Sequence, residues 1–154
     1  MVRILFVCLG NICRSPMAEM VLKDMAQKAG LAREFTIDSA ATSSYERGNP
    51  IYPPARRELA RRGIPCGAHA SRTVTRADYD RFDWIFAMDE ANLRALQRLF
   101  GGDPQRKVRL LLAECGPARD ISDPWYTGDF SAAYRDIEAG CLAVLRRCAP
   151  KEGV

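Results

Sequence analysis

Four short apolar runs, separated by longer helical patterns, constrain the fold of this chain more than any other feature. The runs cover residues 4–9, 35–38, 84–88 and 108–112. Each has the length of a strand and lacks the polar–apolar alternation of a half-exposed sheet, which indicates parallel strands buried on both faces. Since strands that alternate with helices are joined by right-handed crossovers, the pattern predicts an α/β fold, a doubly wound four-stranded parallel sheet with helices on both faces.

Four helices are predicted around these strands. The first has Ser15 as its N-cap and Pro16 at its first position, buries a stripe of methionines and valine, and ends at Gly30. The approximate bounds of the other three are 54–62, 90–100 with Asp89 as cap, and 130–148. In such a sheet the ligand lies beyond the carboxyl ends of the strands, so the chemistry is expected just after a strand.

Length and composition fit a single globular domain over residues 1–148, followed by a flexible tail at 149–154. The first apolar run is too short for a signal peptide, and no stretch approaches the length of a membrane span. We therefore expect a cytoplasmic protein without membrane insertion, and a monomer. Six cysteines in 154 residues are too few for a disulfide scaffold and lack metal-ligand spacing. They are expected to be thiols, with no metal and no cofactor.

The charge pattern limits the class of partner. The net charge is +4, and 19 of the 23 cationic residues are arginine. Arginine pairs at 56–57, 61–62 and 146–147 lie beside apolar residues at helical spacing, which favours solvated helix faces over a nucleic-acid patch. We expect no nucleic-acid partner, but an acidic substrate remains open because arginine suits two-pronged contacts with oxyanions.

The loop that follows the first apolar run is typical of an anion site. Residues 8–16 read CLGNICRSP and lead directly into the predicted helix. Gly10 and Asn11 tolerate unusual backbone angles, so the loop N–H groups can converge on an anion at the helix start, and phosphate suits that geometry. The predicted phosphate-binding residues are Leu9, Gly10, Asn11, Ile12, Cys13, Arg14 and Ser15.

Cys8 and Arg14 lie on either side of this loop and are the candidate nucleophile and oxyanion clamp. The planar guanidinium of Arg14 can hold two equatorial oxygens of a transferring phosphoryl group. Inward N–H groups and the helix dipole favour a thiolate on Cys8, and Ser15 is placed to donate its hydroxyl to that thiolate. A lone cysteine here would usually be a packing residue, but an arginine would be costly to bury beside it without an anion.

The segment resembles the Cys-x5-Arg-Ser-Pro signature of the low-molecular-weight protein tyrosine phosphatases. The resemblance continues in order through residues 38–42, 63–65, 87–93 and the Asp123-Pro124 pair. It implies hydrolysis of phosphotyrosine in proteins, and of small aryl phosphates, through a phosphocysteine and without a metal. It assigns Asp123 as the acid that protonates the departing phenolate and later activates water. Asp120 is the local competitor but lacks the following proline.

The resemblance also implies a support network and a substrate pocket. Asn11, Ser15, Ser39 and His69 match residues that hold the loop, with Asn11 in a strained left-handed conformation. The expected pocket residues are Leu9, Ile12, Tyr45, Trp125 and Tyr126. A deep aromatic slot favours phosphotyrosine over the shorter phosphoserine, and an apolar residue at position 12 disfavours the phosphoarginine handled by relatives with threonine there. Trp125 stands where the family usually has tyrosine.

The remaining cysteines separate into one redox candidate and four packing residues. We expect Cys13 to capture an oxidised Cys8 as a disulfide before further oxidation. The other four, expected to be packing residues, are Cys66, Cys115, Cys141 and Cys148.

Three alternatives remain open beside the phosphatase hypothesis. A thiol-dependent arsenate reductase would need two relay cysteines, for which Cys141 and Cys148 are the available pair. A phosphocysteine carrier must keep its phosphocysteine from water, whereas Asp123 is placed to hydrolyse it. An inactive phosphotyrosine-binding module would not need the nucleophile Cys8. The expected partner is a tyrosine-phosphorylated protein. The arginine-rich, lysine-poor composition is typical of a bacterium with a GC-rich genome, for which the resemblance implies either a partner tyrosine kinase, such as one of surface-polysaccharide export, or a secreted effector role.

Overall fold

The structure is a computed structural model that describes residues 1–150. Its strands are β1 (Val2–Cys8), β2 (Phe35–Ala41), β3 (Trp84–Ala87) and β4 (Val108–Leu110). Its helices are α1 (Arg14–Lys28), α2 (Pro53–Arg61), α3 (Arg76–Arg81), α4 (Glu90–Phe100), α5 (Pro124–Thr127) and α6 (Phe130–Cys148). Residues 151–154 of the expected tail lie outside the described part of the chain. Within that part, no helix is both long and apolar enough to cross a bilayer.

The four strands form one parallel sheet in the order β2-β1-β3-β4. This confirms the predicted doubly wound fold. The chain moves outward from β1 to β2, then crosses back to β3 and continues to β4, so the winding direction reverses between β1 and β3. The carboxyl ends of these two central strands, at Cys8 and Ala87, therefore border the crevice where ligands bind in such folds.

The sheet separates two apolar cores, which is why its strands lack alternation. In β1, Ile4 and Phe6 face one core, whereas Leu5 and Val7 face the other, and all four side chains are fully buried. The first core is covered by α1, α2 and α6, and the second by α3 and α4. Helices thus cover both faces, and β1 is held rigidly along its length.

The start of α1 differs from the prediction. The helix begins at Arg14 with Cys13 as its N-cap, so Ser15 and Pro16 are its second and third residues. The prediction that Ser15 is the N-cap is therefore wrong. The Ser15 hydroxyl contacts Cys8 and Asn11 instead of a first-turn amide, because the loop folds back over the helix start.

The short helices α3 and α5 are absent from the prediction. The signal for α3 was local: Thr75 and Asp78 form a capping box at its start. At six residues it is too short to show an apolar periodicity, so the pattern-based prediction missed it. The other predicted ends agree within a few residues, with left-handed Gly30, Gly63 and Gly101 lying just after the helices that they terminate.

One close helix contact supports the first core. Gly140 in the middle of α6 lies against Leu111, which is fully buried in the turn that follows β4. A Cβ atom at position 140 would lie 2.5 Å from Leu111 Cγ and 3.0 Å from both of its methyl carbons. The absence of a side chain at Gly140 therefore allows α6 to pack on this turn.

We predict that Gly140→Ala lowers the free energy of unfolding by about 1–3 kcal/mol through overpacking. This effect opposes the roughly 1 kcal/mol that alanine gains over glycine in a helix. The matched control is Gly116→Ala, because a methyl group there meets no atom within 4 Å. Urea denaturation of the two variants measures the difference. A Gly140→Ala chain as stable as the parent would contradict the expected clash with Leu111.

Candidate active site

The loop between β1 and α1 forms the floor of a cleft of about 330 Å³ at the carboxyl end of β1. Residues from three chain segments line it: Cys8, Leu9, Gly10, Ile12, Cys13, Arg14, Ser43, Tyr45, Glu46, Asp123, Trp125 and Tyr126. All five predicted pocket residues are in this set, together with Ser43 and Glu46, which sequence reasoning did not name. Asn11 and Ser15 are buried and do not line the cleft.

The Cys8 sulfur is surrounded by hydrogen-bond donors. The backbone N–H of Asn11 donates to Cys8 Sγ at 3.3 Å, and Ser15 Oγ lies 3.0 Å from the same sulfur. Asn11 Nδ2 donates to Ser15 Oγ at 2.8 Å, so the hydroxyl proton of Ser15 is free to point at the sulfur. The candidate nucleophile therefore faces two hydrogen-bond donors.

The loop depends on a left-handed residue, Asn11, whose φ is 57°. Two long-range partners hold that residue in place. His69 Nε2 lies 2.8 Å from the Asn11 carbonyl, which can only accept, so this nitrogen carries the proton. The backbone N–H of Arg72 donates to Asn11 Oδ1 at 3.2 Å. The backbone N–H, the side-chain amide and the backbone carbonyl of Asn11 are therefore all hydrogen-bonded, which fixes the direction of the N–H group.

Residues 69–72 form a strap across the back of the loop. Besides the contacts to Asn11, Ser71 Oγ donates to the Gly10 carbonyl at 2.9 Å. The Arg72 guanidinium anchors the strap, because it donates to Asp38 on β2 and to the fully buried Asp78 on α3. Burial opposes the charge of Arg72, yet Asp78 and Asp38 raise the pKa of its guanidinium above the usual value. Sequence reasoning found His69 but missed Ser71 and Arg72.

Ser39 supports the loop indirectly. Its hydroxyl donates to Glu19 Oε1 at 2.5 Å, and the same oxygen lies 4.0 Å from His69 Nδ1. Glu19 is buried in α1, and Lys23 also bonds it. Ser39 was expected to belong to one support network with Asn11 and His69. Glu19 connects Ser39 to that network, because it contacts both Ser39 and His69. A glutamate on a buried helix face was the signal for this residue.

Arg14 is 2% exposed and is held by two acidic residues. Its Nη1 donates to Asp89 Oδ2 and to the Ile121 carbonyl, both at 2.8 Å, while Nη2 lies 3.4 Å from Asp123 Oδ2. Burial acts against its charge, but the neighbouring Cys8, Asp123 and Asp89 raise the pKa of the guanidinium. Sequence reasoning gave Asp89 only a capping role, which it also has, since its Oδ1 accepts from Asn92 N at 2.8 Å.

Asp123 and Asp120 occupy different environments. Asp123 lies at the cleft as the N-cap of α5, where its Oδ1 accepts from the Trp125 N–H at 3.1 Å. Its other oxygen faces Arg14. Asp120 is exposed, accepts from the Glu90 N–H at 2.9 Å and does not line the cleft. The structure therefore brings Asp123, and not Asp120, beside Cys8 and Arg14.

Aromatic side chains form an open rim above the loop. Tyr45 is 95% exposed and Tyr126 is 76% exposed, whereas the exposed fraction of Trp125 is lower, at 49%, because its ring packs on Tyr52 at 4.8 Å between centroids. Ile12 is buried in the wall. The cleft thus has Cys8 and Arg14 at its base and aromatic side chains at its mouth.

Burial raises the pKa of three of the other cysteines. Burial and the neighbouring Cys8 and Asp123 raise the pKa of Cys13 to about 12, so it is a neutral thiol beside the cleft. Cys141 is fully buried on α6, which raises the pKa of its thiol, and Cys148 is half-buried seven residues later. Neither lines the cleft. Among residues 1–150, no three His, Cys, Asp or Glu side chains converge as a metal site would require.

We predict that Ser71→Ala weakens the binding of inorganic phosphate about 3–10-fold, because the Gly10 carbonyl loses a donor and the loop amides lose their alignment. Isothermal titration at fixed ionic strength measures the dissociation constant. Ser44→Ala is the control, since that serine is exposed and does not line the cleft. Equal affinities in the two variants would show that the loop keeps its shape without this contact.

Comparisons with known proteins place this geometry in a family. Residues 3–152 match the family model for low molecular weight phosphotyrosine protein phosphatase. The low molecular weight protein-tyrosine-phosphatase YfkJ of Bacillus subtilis is 40% identical over 147 residues, which are 94% of each chain. The human low molecular weight phosphotyrosine protein phosphatase is 40% identical over 149 residues, again 94% of each chain.

Solved structures agree with the sequence comparison. The crystal structure of YfkJ from Bacillus subtilis superposes with a TM-score of 0.92 at 38% identity, covering 96% of this chain and 94% of that one. The structure of DARP, a Drosophila arginine phosphatase, has a TM-score of 0.87 at 33% identity, covering 97% and 99%. With a family match along almost its whole length and relatives at 40% identity, this chain belongs to the low-molecular-weight protein tyrosine phosphatases, which are hydrolases.

Proposed function

We propose that this phosphatase hydrolyses phosphotyrosine in proteins through a phosphocysteine on Cys8, with Arg14 as phosphate clamp and Asp123 as general acid and base. One observation supports this assignment above all. The Cys8 sulfur, with donors at 3.0 and 3.3 Å, lies at the base of the same cleft that Arg14 and Asp123 line. A nucleophile, an oxyanion clamp and a proton donor are the three groups that phosphoryl transfer to a thiolate requires.

Phosphate binding in this proposal uses the N–H groups of residues 9–15 and the guanidinium of Arg14. Asp89 and the Ile121 carbonyl already hold Nη1 of Arg14, so the plane of the guanidinium is set before the substrate arrives. Its remaining N–H groups can then grip two phosphoryl oxygens. This preorganisation lowers the reorganisation needed as charge shifts in the transition state.

The first chemical step forms the S–P bond and breaks the P–O bond to the tyrosine. The Cys8 thiolate attacks phosphorus, and protonated Asp123 gives its proton to the leaving phenolate oxygen. In the second step Asp123, now a carboxylate, takes a proton from water as its oxygen attacks phosphorus. The S–P bond breaks, inorganic phosphate leaves and the Cys8 thiolate returns.

Substrate choice in this proposal follows from the shape of the cleft. Phosphotyrosine is long enough to bring phosphorus to the base while its ring contacts the aromatic rim, whereas phosphoserine is shorter. Ile12 offers an apolar wall, which suits a phenyl ring better than a phosphorylated guanidinium. We therefore propose phosphotyrosine as the preferred substrate, although a similar structure belongs to an arginine phosphatase.

The proposed setting is the cytoplasm of a bacterium. A thiolate nucleophile requires the reducing conditions that prevail there. The arginine-rich composition is the support for a bacterial source, and a bacterial tyrosine kinase is the proposed phosphorylated partner. We propose that the chain acts as a monomer, since the cleft is built from residues of a single chain.

We predict metal-independent turnover of an aryl phosphate, measured as released phosphate at mildly acid pH with a chelator present. Cys8→Ser abolishes turnover, and Asp123→Asn slows it by about 10²–10⁴-fold because the leaving phenolate is no longer protonated. Asp120→Asn, a matched change outside the cleft, leaves the rate close to that of the parent. The Asp123→Asn deficit shrinks for phenols of low pKa, which need less help to leave.

Other outcomes of the turnover experiment would indicate one of the alternative functions. A stoichiometric burst without turnover would indicate a phosphocysteine carrier, and tight phosphotyrosine binding without a burst would indicate a binding module. Equal losses in Asp120→Asn and Asp123→Asn would contradict the role of Asp123. Faster hydrolysis of phosphoarginine than of phosphotyrosine would contradict the proposed substrate.

We also predict that hydrogen peroxide converts Cys8 and Cys13 into a disulfide. The Cys8 thiolate attacks peroxide to give a sulfenic acid, and the Cys13 sulfur then displaces water from it. Because Cys13 starts as a neutral thiol, it must give up its proton in that second step. Mass spectrometry of the oxidised chain should find the linked peptides, and dithiothreitol should restore activity. Irreversible inactivation at the same rate in the parent and in Cys13→Ser would contradict this protection.

A further inference from the structure

A second groove, of about 340 Å³, lies between α2 and the segment that joins α5 to α6. On α2 its lining comes from one helix face, since Arg57 and Glu58 each lie three or four positions from both Pro54 and Arg61. The full lining is Pro54, Arg57, Glu58, Arg61, Gly128, Asp129, Phe130 and Ser131. None of these residues belongs to the cleft described above.

Cationic groups outnumber anionic groups around this groove. Arg57 and Arg61 line it, while Arg62 and Arg135 reach its edge, where both donate to Ser131 Oγ at 2.9 and 3.1 Å. Two carboxylates face these four guanidinium groups. Glu58 is buried and bonded by Arg61 and Arg62, and Asp129 accepts from the Ala132 N–H at 2.9 Å. The balance of charge therefore favours an anionic occupant.

Two groups in the groove retain hydrogen-bonding capacity. Arg57 is exposed and forms no ion pair within residues 1–150, unlike Arg61 and Arg62. Ser131 Oγ accepts two N–H donors, so its hydroxyl proton remains available to donate. A carboxylate between Arg57 and Ser131 would receive charge-assisted hydrogen bonds.

Aromatic rings connect the groove to the catalytic cleft. Tyr52 packs on Trp125, a wall of the cleft, at 4.8 Å, and on Phe130, a wall of the groove, at 6.1 Å. These contacts limit the distance between the Trp125 and Phe130 rings to about 11 Å, which roughly three residues of extended chain can span. A peptide with its phosphotyrosine in the cleft can thus reach the groove over this ring layer.

We propose that the groove binds the carboxylate of an aspartate or glutamate about three residues from the phosphotyrosine of the substrate. The inference rests on the proposed function, because it concerns the substrate of the neighbouring cleft. It makes Arg57 a residue that selects acidic substrate sequences and takes no part in the chemistry.

The test compares phosphotyrosine peptides that carry glutamate or glutamine three residues before or after the phosphotyrosine. Arg57→Gln should lower kcat/KM for the preferred glutamate peptide about 3–10-fold, through KM, and leave the glutamine peptide and a small aryl phosphate unchanged. Arg56→Gln is the matched control, since it removes the same charge from the neighbouring exposed position on α2 outside the groove. In the parent chain, added salt should reduce the preference for glutamate.

Three results would overturn the inference: no preference for glutamate at either position, equal losses in Arg56→Gln and Arg57→Gln, or an equal loss with the glutamine peptide. Calorimetry measures the binding of the same peptides to the Cys8→Ser chain, which does not turn them over. It therefore reports binding in the groove independently of catalysis. If the parent chain did not turn over aryl phosphate, the proposed function would fail. A glutamate preference in binding that depends on Arg57 would still support the groove.

Discussion

The candidate site depends on one unfavourable backbone conformation, the left-handed turn at Asn11. Such a conformation costs on the order of 1–3 kcal/mol in a non-glycine residue and persists only where the surroundings enforce it. Here His69 and Arg72 bind the carbonyl and side chain of Asn11 from behind, and Ser15 accepts from its amide. The result is an N–H group aimed at the Cys8 sulfur. Relaxing this turn would remove that donor and release Ser15.

The strap that enforces the turn is itself attached to the sheet. Ala41 at the end of β2 donates its N–H to the Arg72 carbonyl and accepts from the Val74 N–H, both at 2.8 Å. The Arg72 guanidinium joins this backbone to Asp38 and Asp78. The backbone conformation of the loop is therefore held in place by contacts to β2 and α3.

Carboxylates determine the direction of the charged groups in the cleft. Asp89 holds Arg14 with one oxygen and caps α4 with the other, so the start of that helix and the orientation of the guanidinium depend on one side chain. Asp123 caps α5, the turn that also carries Trp125. Because Trp125 packs on Tyr52 beside α2, the proposed acid, the aromatic wall and the second groove form one connected surface.

Local sequence was sufficient to predict the parts of the site that are formed by residues adjacent in the chain. The run CLGNICRSP contains the proposed nucleophile, the loop and Arg14, and the apolar run over residues 4–9 predicts the buried strand that leads into it. The parallel sheet followed from the same kind of information, since apolar spacing reports which faces are buried. Asp123 was identified through its proline neighbour and the family resemblance.

Tertiary structure alone decided which distant residues complete the site. Asp89 is 75 positions from Arg14, and Arg72 is 61 positions from Asn11, so no local pattern links either pair. Ser15 shows the same effect within the loop, because a serine at a helix start looks like a cap until folding places a sulfur and an amide beside it. The sequence by itself determined the elements and the reactive loop, since these follow from backbone preference and burial. The partners that orient the loop came only from the packing of β1 between β2 and β3, which brings remote segments to one edge of the sheet.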